Sequence, residues 1–192
     1  VDANQTAVAL SPQDAAAHYN LGNTLQELGR LDEAEASYTQ AILLKSDYAK
    51  AHSNLGITLQ ELGRLDEAEA SSRQATVLKP DLAEAHLSLG NTLKELGRLD
   101  EAEASYMQAI ALRIGFDEAH QKLAITQREL GKIEQAIQSE RYTKFLNSSN
   151  VEANESENFP DNLPFRQPSP VEYPALYRAG MGTENVGGFL RA

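Results

Sequence analysis

Four histidines recur along this 192-residue chain at a fixed interval of 34: His18, His52, His86 and His120. Imidazole is a common metal ligand and the usual general base near neutral pH, so these four are the first place to look for chemistry. A helical zinc site pairs two ligands one turn apart or draws on cysteines. None of the four has a histidine partner at i+4, and the sequence has no Cys. They therefore read as structural, partly buried side chains, and neither a metal nor any other cofactor is expected. The second candidates are carboxylates: Asp32, Glu33 and Glu35, with counterparts at Asp66, Glu67 and Glu69 and at Asp100, Glu101 and Glu103. Acid–base catalysis needs two carboxyls with displaced pKa values facing one cleft. These fall instead at the starts of predicted helices, where the helix dipole favours negative charge. The missing Cys also removes thiolate nucleophiles and Cys-ligated clusters. No catalytic constellation emerges, and the chain is expected not to be an enzyme.

The elements that carry these residues follow from an internal repeat. The stretch Leu25 to Ser37 is identical to Leu59 to Ser71, recurs with one substitution at Leu93 to Ser105, and returns loosely at Gln127 to Ala136. In the first copy Leu21, Gly22, Leu25 and Leu28 share one helical face. Gly29 follows where a left-handed C-cap ends a helix. Asp32 is then predicted to cap a second helix, with Glu35 three residues on completing a capping box. Ala34, Tyr38, Ala41 and Ile42 supply its buried stripe, and Pro12 and Pro80 fall in the turns between units. Each unit is a helix–turn–helix hairpin whose small apolar face cannot be hidden alone, so the units must stack.

These residues resemble the tetratricopeptide repeat, whose 34-residue motif runs Leu-Gly, large apolar, Ala, aromatic, Ala. Leu21, Gly22, Leu25, Ala34, Tyr38 and Ala41 fill those places in the first unit; Leu89, Gly90, Leu93, Ala102, Tyr106 and Ala109 fill them in the third. In the second, Leu55, Gly56, Leu59, Ala68 and Ala75 match, but Ser72 replaces the aromatic. The Ala-His-x-Asn-Leu-Gly wording is also similar to repeats attached to O-linked N-acetylglucosamine transferase. The resemblance implies an all-α fold, hairpins stacked in a right-handed superhelix. Its expected parts are the end of a truncated preceding repeat (1–14), repeats at 15–48, 49–82 and 83–116, a degenerate capping repeat (117–146), and a linker and tail (147–192). In the capping repeat Ala124, Gln127, Glu140 and Thr143 depart from the motif, as expected of an outer face that meets water. The resemblance also implies a concave groove lined by first helices. It places there Asn20, Asn23, Gln26 and Glu27; Asn54, Ile57, Gln60 and Glu61; Ser88, Asn91, Lys94 and Glu95; and Lys122, Ile125, Arg128 and Glu129. Carboxamides both donate and accept, so rows of them suit an extended peptide backbone. Lys122 and Arg128 would suit a carboxylate. The implied partner is a protein or peptide.

Beyond Leu146 the composition changes. Residues 147–158 are polar and unpatterned, and Pro160, Pro164, Pro168, Pro170 and Pro174 follow, interleaved with Phe159, Phe165, Tyr173, Tyr177 and Phe189. The segment from Glu172 to Arg191 is similar to the lead-in of a bacterial class I S-adenosylmethionine-dependent methyltransferase domain. That resemblance implies an alternative role, a non-catalytic recruiting part of a larger enzyme. A third alternative is self-assembly through repeat ends or tail. The formal charge of −11 argues against nucleic acid, which is bound through basic surfaces. No run approaches the ~18 apolar residues of a membrane span. A soluble, cytoplasmic interaction module is the expectation.

Overall fold

A computed structural model of the chain describes residues 2–113 and 115–152. Among them every regular element is an α-helix: α1 (Asp2–Leu10), α2 (Ala15–Glu27), α3 (Leu31–Leu44), α4 (Ala49–Glu61), α5 (Leu65–Leu78), α6 (Ala83–Glu95), α7 (Leu99–Leu112), α8 (Asp117–Glu129) and α9 (Ile133–Glu152). These helices form an all-α repeat array. Helix α2 ends as its sequence predicts. Gly29 takes φ 69°, its N–H bonds the Gln26 carbonyl at 2.9 Å, and the Arg30 N–H bonds the Leu25 carbonyl at 2.9 Å. An L-side chain there would cost about 1 kcal/mol, and the same geometry returns at Gly63, Gly97 and Gly131.

The start of the second helix differs from expectation. Helix α3 begins at Leu31 with Arg30 as its N-cap, and no side chain caps it. Asp32 lies inside the first turn, too late to cap, so the predicted capping box does not form. Asp32 and Glu33 still sit where the helix dipole favours them. Glu35 turns away to meet Arg64 of the next hairpin at 2.7 Å.

Helices α2 and α3, α4 and α5, and α6 and α7 pair as hairpins; each second helix also packs on the next first helix, and the first helices approach one another in turn. Helix α1 packs on α2 in the manner of a preceding second helix. Small residues make this close stacking possible: Ala34, Ala41, Ala68, Ala75, Ala102 and Ala109 are all fully buried. Tyr38 and Tyr106 fill the hairpin interiors and press on glycine. A Cβ on Gly22 would stand 2.6 Å from the Tyr38 ring, and one on Gly90 2.6 Å from Tyr106. The last repeat can carry Ala124 because Glu140 stands where the tyrosine would be.

Gln127 is a second departure from expectation. It replaces the buried Leu25, Leu59 and Leu93 of the other units, yet it does not meet water. Its Nε2 donates to Glu103 Oε1 at 3.1 Å, and Ser139 Oγ donates to its Oε1 at 3.0 Å. Glu103 is itself buried and pairs with Lys132. The end of the array is closed by a satisfied polar network, as a buried amide and carboxylate require. Helix α9 continues beyond the boundary expected at 146 to Glu152, since no Gly or Pro interrupts it. The array unit spans Val1–Ser148. The Pro/aromatic tail, the segment similar to a methyltransferase lead-in and the side chain of Thr143 lie outside the described residues.

Candidate partner-binding groove

The histidines resolve first. His18 Nε2 donates to the Pro12 carbonyl at 3.0 Å, His52 to Ser46 at 3.1 Å, and His86 to Pro80 at 2.9 Å. A carbonyl only accepts, so Nε2 carries the proton in each. Each of these three rings ties its helix to the turn six residues earlier, a structural role. Burial pushes the His86 ring below its ordinary value, against a smaller upward pull from the Pro80 carbonyl. Among the described residues no group of three His, Asp or Glu side chains is placed to hold a metal ion.

The expected groove residues fall on the successive first helices α2, α4, α6 and α8. The structure brings part of the set together. Gln60, Asn91, Lys94, Glu95, Lys122 and Ile125, with the edge of Tyr106, line one cleft of about 230 Å3 spanning α4, α6 and α8. Five of its polar groups are held by contacts within the protein. Gln60 Nε2 donates to Glu95 at 2.6 Å, Tyr106 OH donates to Asn91 at 2.9 Å, and Lys94 pairs with Glu129 at 2.9 Å. Lys122 has no ion-pair partner among the described residues, and Ile125 is 44% exposed beside it. The cleft thus offers an uncommitted ammonium, an apolar side chain and carboxamides.

A second cluster lies on α2 and α4. Asn54 Nδ2 donates to Asn23 Oδ1 at 2.8 Å and to Tyr19 OH at 3.3 Å, and Tyr38 OH lies 2.9 Å from both Asn23 Oδ1 and Gln26 Oε1. Asn20, Glu27 and Glu61 are exposed on the same helices, and Ile57 stands half-buried at the place of Asn23 in the second repeat. Two expected residues are differently employed. Ser88 is buried against Ser72, the hydroxyls 2.9 Å apart, which removes it from the groove surface. Arg128 reaches Glu140 at 2.6 Å and is committed there. Tyr19 and the hydroxyls of Tyr38 and Tyr106 are additions that sequence reasoning missed. The tyrosines read as core, and only their geometry shows hydroxyls reaching the groove carboxamides. Burial drives both the Tyr38 and Tyr106 phenols far above the ordinary tyrosine range, so they stay protonated donors.

The family model of the tetratricopeptide repeat matches residues 13–81 and 47–115, together more than half of the chain, and the chain belongs to that family. No curated protein sequence matches it. Among solved structures, a crystal structure of MamA is similar with TM-score 0.71 at 20% identity, covering 79% of this chain and 88% of that one. MamA from residue 41 onward, from Desulfovibrio magneticus RS-1, gives 0.66 at 18% identity, covering 74% and 80%. The first repeat domain of Spaghetti (RPAP3), bound to the HSP90 peptide SRMEEVD, gives 0.60 at 24% identity, covering 62% and 94%. At these identities what is shared is the fold. Membership of the tetratricopeptide-repeat family marks the chain as a protein–protein interaction module. No helix among the described residues is long and apolar enough to cross a membrane.

Proposed function

We propose that the first-helix face of the array is a docking groove for an extended peptide or unfolded segment of a partner protein, and that the segment carries an acidic residue. The carrying observation is the cleft at α4, α6 and α8, where Lys122 stands unpaired beside exposed Ile125. A carboxylate on Lys122 with an aliphatic neighbour on Ile125 satisfies both groups. The rigid hairpin stack preforms this surface, so little ordering cost falls on the protein side. An acidic peptide, SRMEEVD, is what the similar RPAP3 domain holds, which supports the same ligand class here. The role is recognition, and the groove residues are assigned no catalytic step.

A random dodecapeptide phage library panned on the full chain tests this, with the best binder made as a fluorescein-labelled peptide for anisotropy. Enriched sequences are expected to share an Asp or Glu next to an aliphatic residue. Lys122→Glu is expected to weaken the labelled peptide about tenfold or more by placing like charges together. Enrichment without acidic residues, or an affinity indifferent to Lys122→Glu, would show that the cleft is not the docking site.

A further inference from the structure

Three successive helix junctions use the same three sequence positions, and the middle one is filled differently. Where α2, α3 and α4 meet, Tyr19, Tyr38 and Asn54 fill the space. The two rings lie 6.0 Å apart between centroids, and Asn54 Nδ2 donates to the Tyr19 hydroxyl at 3.3 Å. One repeat on, at α4, α5 and α6, those places hold Ser53, Ser72 and Ser88, each at most 1% exposed. One repeat further, Leu87 and Tyr106 are again large and buried. The middle junction has exchanged two rings and a carboxamide for three hydroxyls. Part of the lost volume is recovered by closing the hairpin. A Cβ on Gly56 would run into Ser72 Oγ and stand 3.2 Å from the Ala68 carbonyl, whereas one on Gly22 or Gly90 would meet tyrosine ring atoms first.

Closure does not satisfy the hydroxyls. Ser72 Oγ and Ser88 Oγ are 2.9 Å apart, so one donates to the other, and the acceptor's own proton needs a further partner. Ser53 Oγ is fully enclosed and has no hydrogen-bond partner among the described residues. Such a buried hydroxyl is costly, and native interiors commonly answer it with an internal water that makes about three hydrogen bonds. We propose that the serine junction holds one buried water, bonded to Ser53 and to the Ser72–Ser88 pair, and that this hydrated junction is the joint at which the array opens first. The second part follows from what the serines do not supply. A buried tyrosine seals ~150–250 Å2 of surface, and the stability of a repeat array is a sum of terms between neighbours. Tyr38 and Tyr106 supply that burial in the flanking repeats. Between them, the buried apolar cluster joining α4, α5 and α6 is built of Ala49, Ala75, Ala85 and Leu82, with Leu78 against it. The weak term thus falls in the middle of the array, between the stiffer hairpins α2–α3 and α6–α7. Bending there changes the angle between the two halves of the first-helix face while leaving each half intact, whatever docks on it.

The test uses the full chain. Hydrogen exchange followed by NMR should show the α4 and α5 amides exchanging about tenfold or more faster than those at matching positions of α2, α3, α6 and α7. Fraying from the ends alone would make this central hairpin the slowest, and that result overturns the joint. Water magnetic relaxation dispersion counts buried waters. Ser53→Ala should lower the count by one and Tm by about 2–4 °C, the effect of losing one hydrogen bond. An unchanged count, or a Tm that rises because an unsatisfied hydroxyl has been removed, overturns the water. Ser53→Leu with Ser72→Tyr installs the pair that the third repeat carries. It should remove the water and slow α4 and α5 exchange to the level of the flanking hairpins. Exchange left fast in that folded variant would show that the serines are not what loosens the hairpin, and would overturn the inference as well.

Discussion

One ion-pair position recurs three times in this protein with its carboxylate progressively more buried and, at the third, Lys in place of Arg. Glu35 meets Arg64, Glu69 meets Arg98 and Glu103 meets Lys132, and the carboxylate side chain is 26%, 17% and 1% exposed in turn. Replacing each cation by Met removes the charge and keeps an unbranched stem. At Glu35 water reaches the stranded carboxylate, and the loss should be at most about 1 kcal/mol. At Glu69 it should be a little more, held down by Arg73, which remains at 2.7 Å. At Glu103 an unpaired charge is left in the interior, which costs ~3–5 kcal/mol. The Gln127 amide still donates to it, so the lower end, about 3 kcal/mol, is expected. With ~2–4 °C per kcal/mol in a chain of this size, Lys132→Met should lower Tm by roughly 6–12 °C and Arg64→Met by roughly 4 °C at most. Glu103→Gln combined with Lys132→Met should recover most of the loss, because no charge is then stranded. Since repeat arrays open locally, hydrogen exchange at the α7 and α8 amides should accompany the melts. Equal, small losses at all three sites would refute the claim that burial sets the strength of this contact.

The close glycine–tyrosine approach predicts that Gly22→Ala and Gly90→Ala each destabilise by about 1–3 kcal/mol through overpacking, with Ala124→Gly costing ~1 kcal/mol or less from helix propensity. A Gly90→Ala protein that melts like the native one would contradict the 2.6 Å contact with Tyr106. The guanidiniums of Arg30, Arg64 and Arg98, through hydrogen bonds, hold the carboxyls of Glu33, Glu67 and Glu101 below their ordinary 4.5. A carboxyl lowered on folding contributes stability above its unfolded pKa and loses it as pH falls through the folded one. The urea midpoint should therefore drop on acidification below about 4.5, and Arg98→Met should flatten that fall; an unchanged acid limb would exclude these pairs as its source. His86, lowered by burial, should titrate below 6.5 by NMR, with stability declining as pH drops from 6.5 toward that value; a midpoint at or above 6.5 would mean the ring is better hydrated than its packing implies.

The hairpins were legible because each end is marked by a residue with one physical reason to be there. Gly29 and its counterparts take a positive φ, and Leu21 with Leu25 on α2 and Ala34 with Tyr38 on α3 each mark a face at helical spacing. Helix starts were less legible. Asp32 and Glu35 have capping-box spacing, yet Leu31 is already helical, and Glu35 serves better against Arg64 than against its own backbone. Spacing records local options, and the next hairpin decides among them. Gln127 shows the same limit. A polar residue at a core position reads as exposure until the structure brings Glu103 and Ser139 to it from other helices, at separations of 24 and 12 residues.

Near-identity between units hid the site more thoroughly than it hid the fold. A groove lined by the same side chains at every repeat would offer a bound segment several equivalent registers, one per hairpin, and none would be preferred by energy. Register requires that the repeats differ, so the informative positions are the departures from the motif. Gln26 becomes Lys94 two repeats on, Asn23 becomes Ile57, Tyr38 becomes Ser72, and Asn20 becomes Lys122 at the last first helix. Those changes leave the Tyr38-bonded carboxamides of α2 and the Lys122 cleft each in one place along the groove. A segment satisfying both sites has a single register, whereas one satisfying either alone can slide by a hairpin. Restoring the motif at the cleft, Lys122→Asn, should therefore do more than remove a charge contact. It should make binding tolerant of shifts in peptide sequence, a loss of specificity beyond the loss of affinity, and a labelled peptide with its acidic residue moved by three positions should then bind as well as the original.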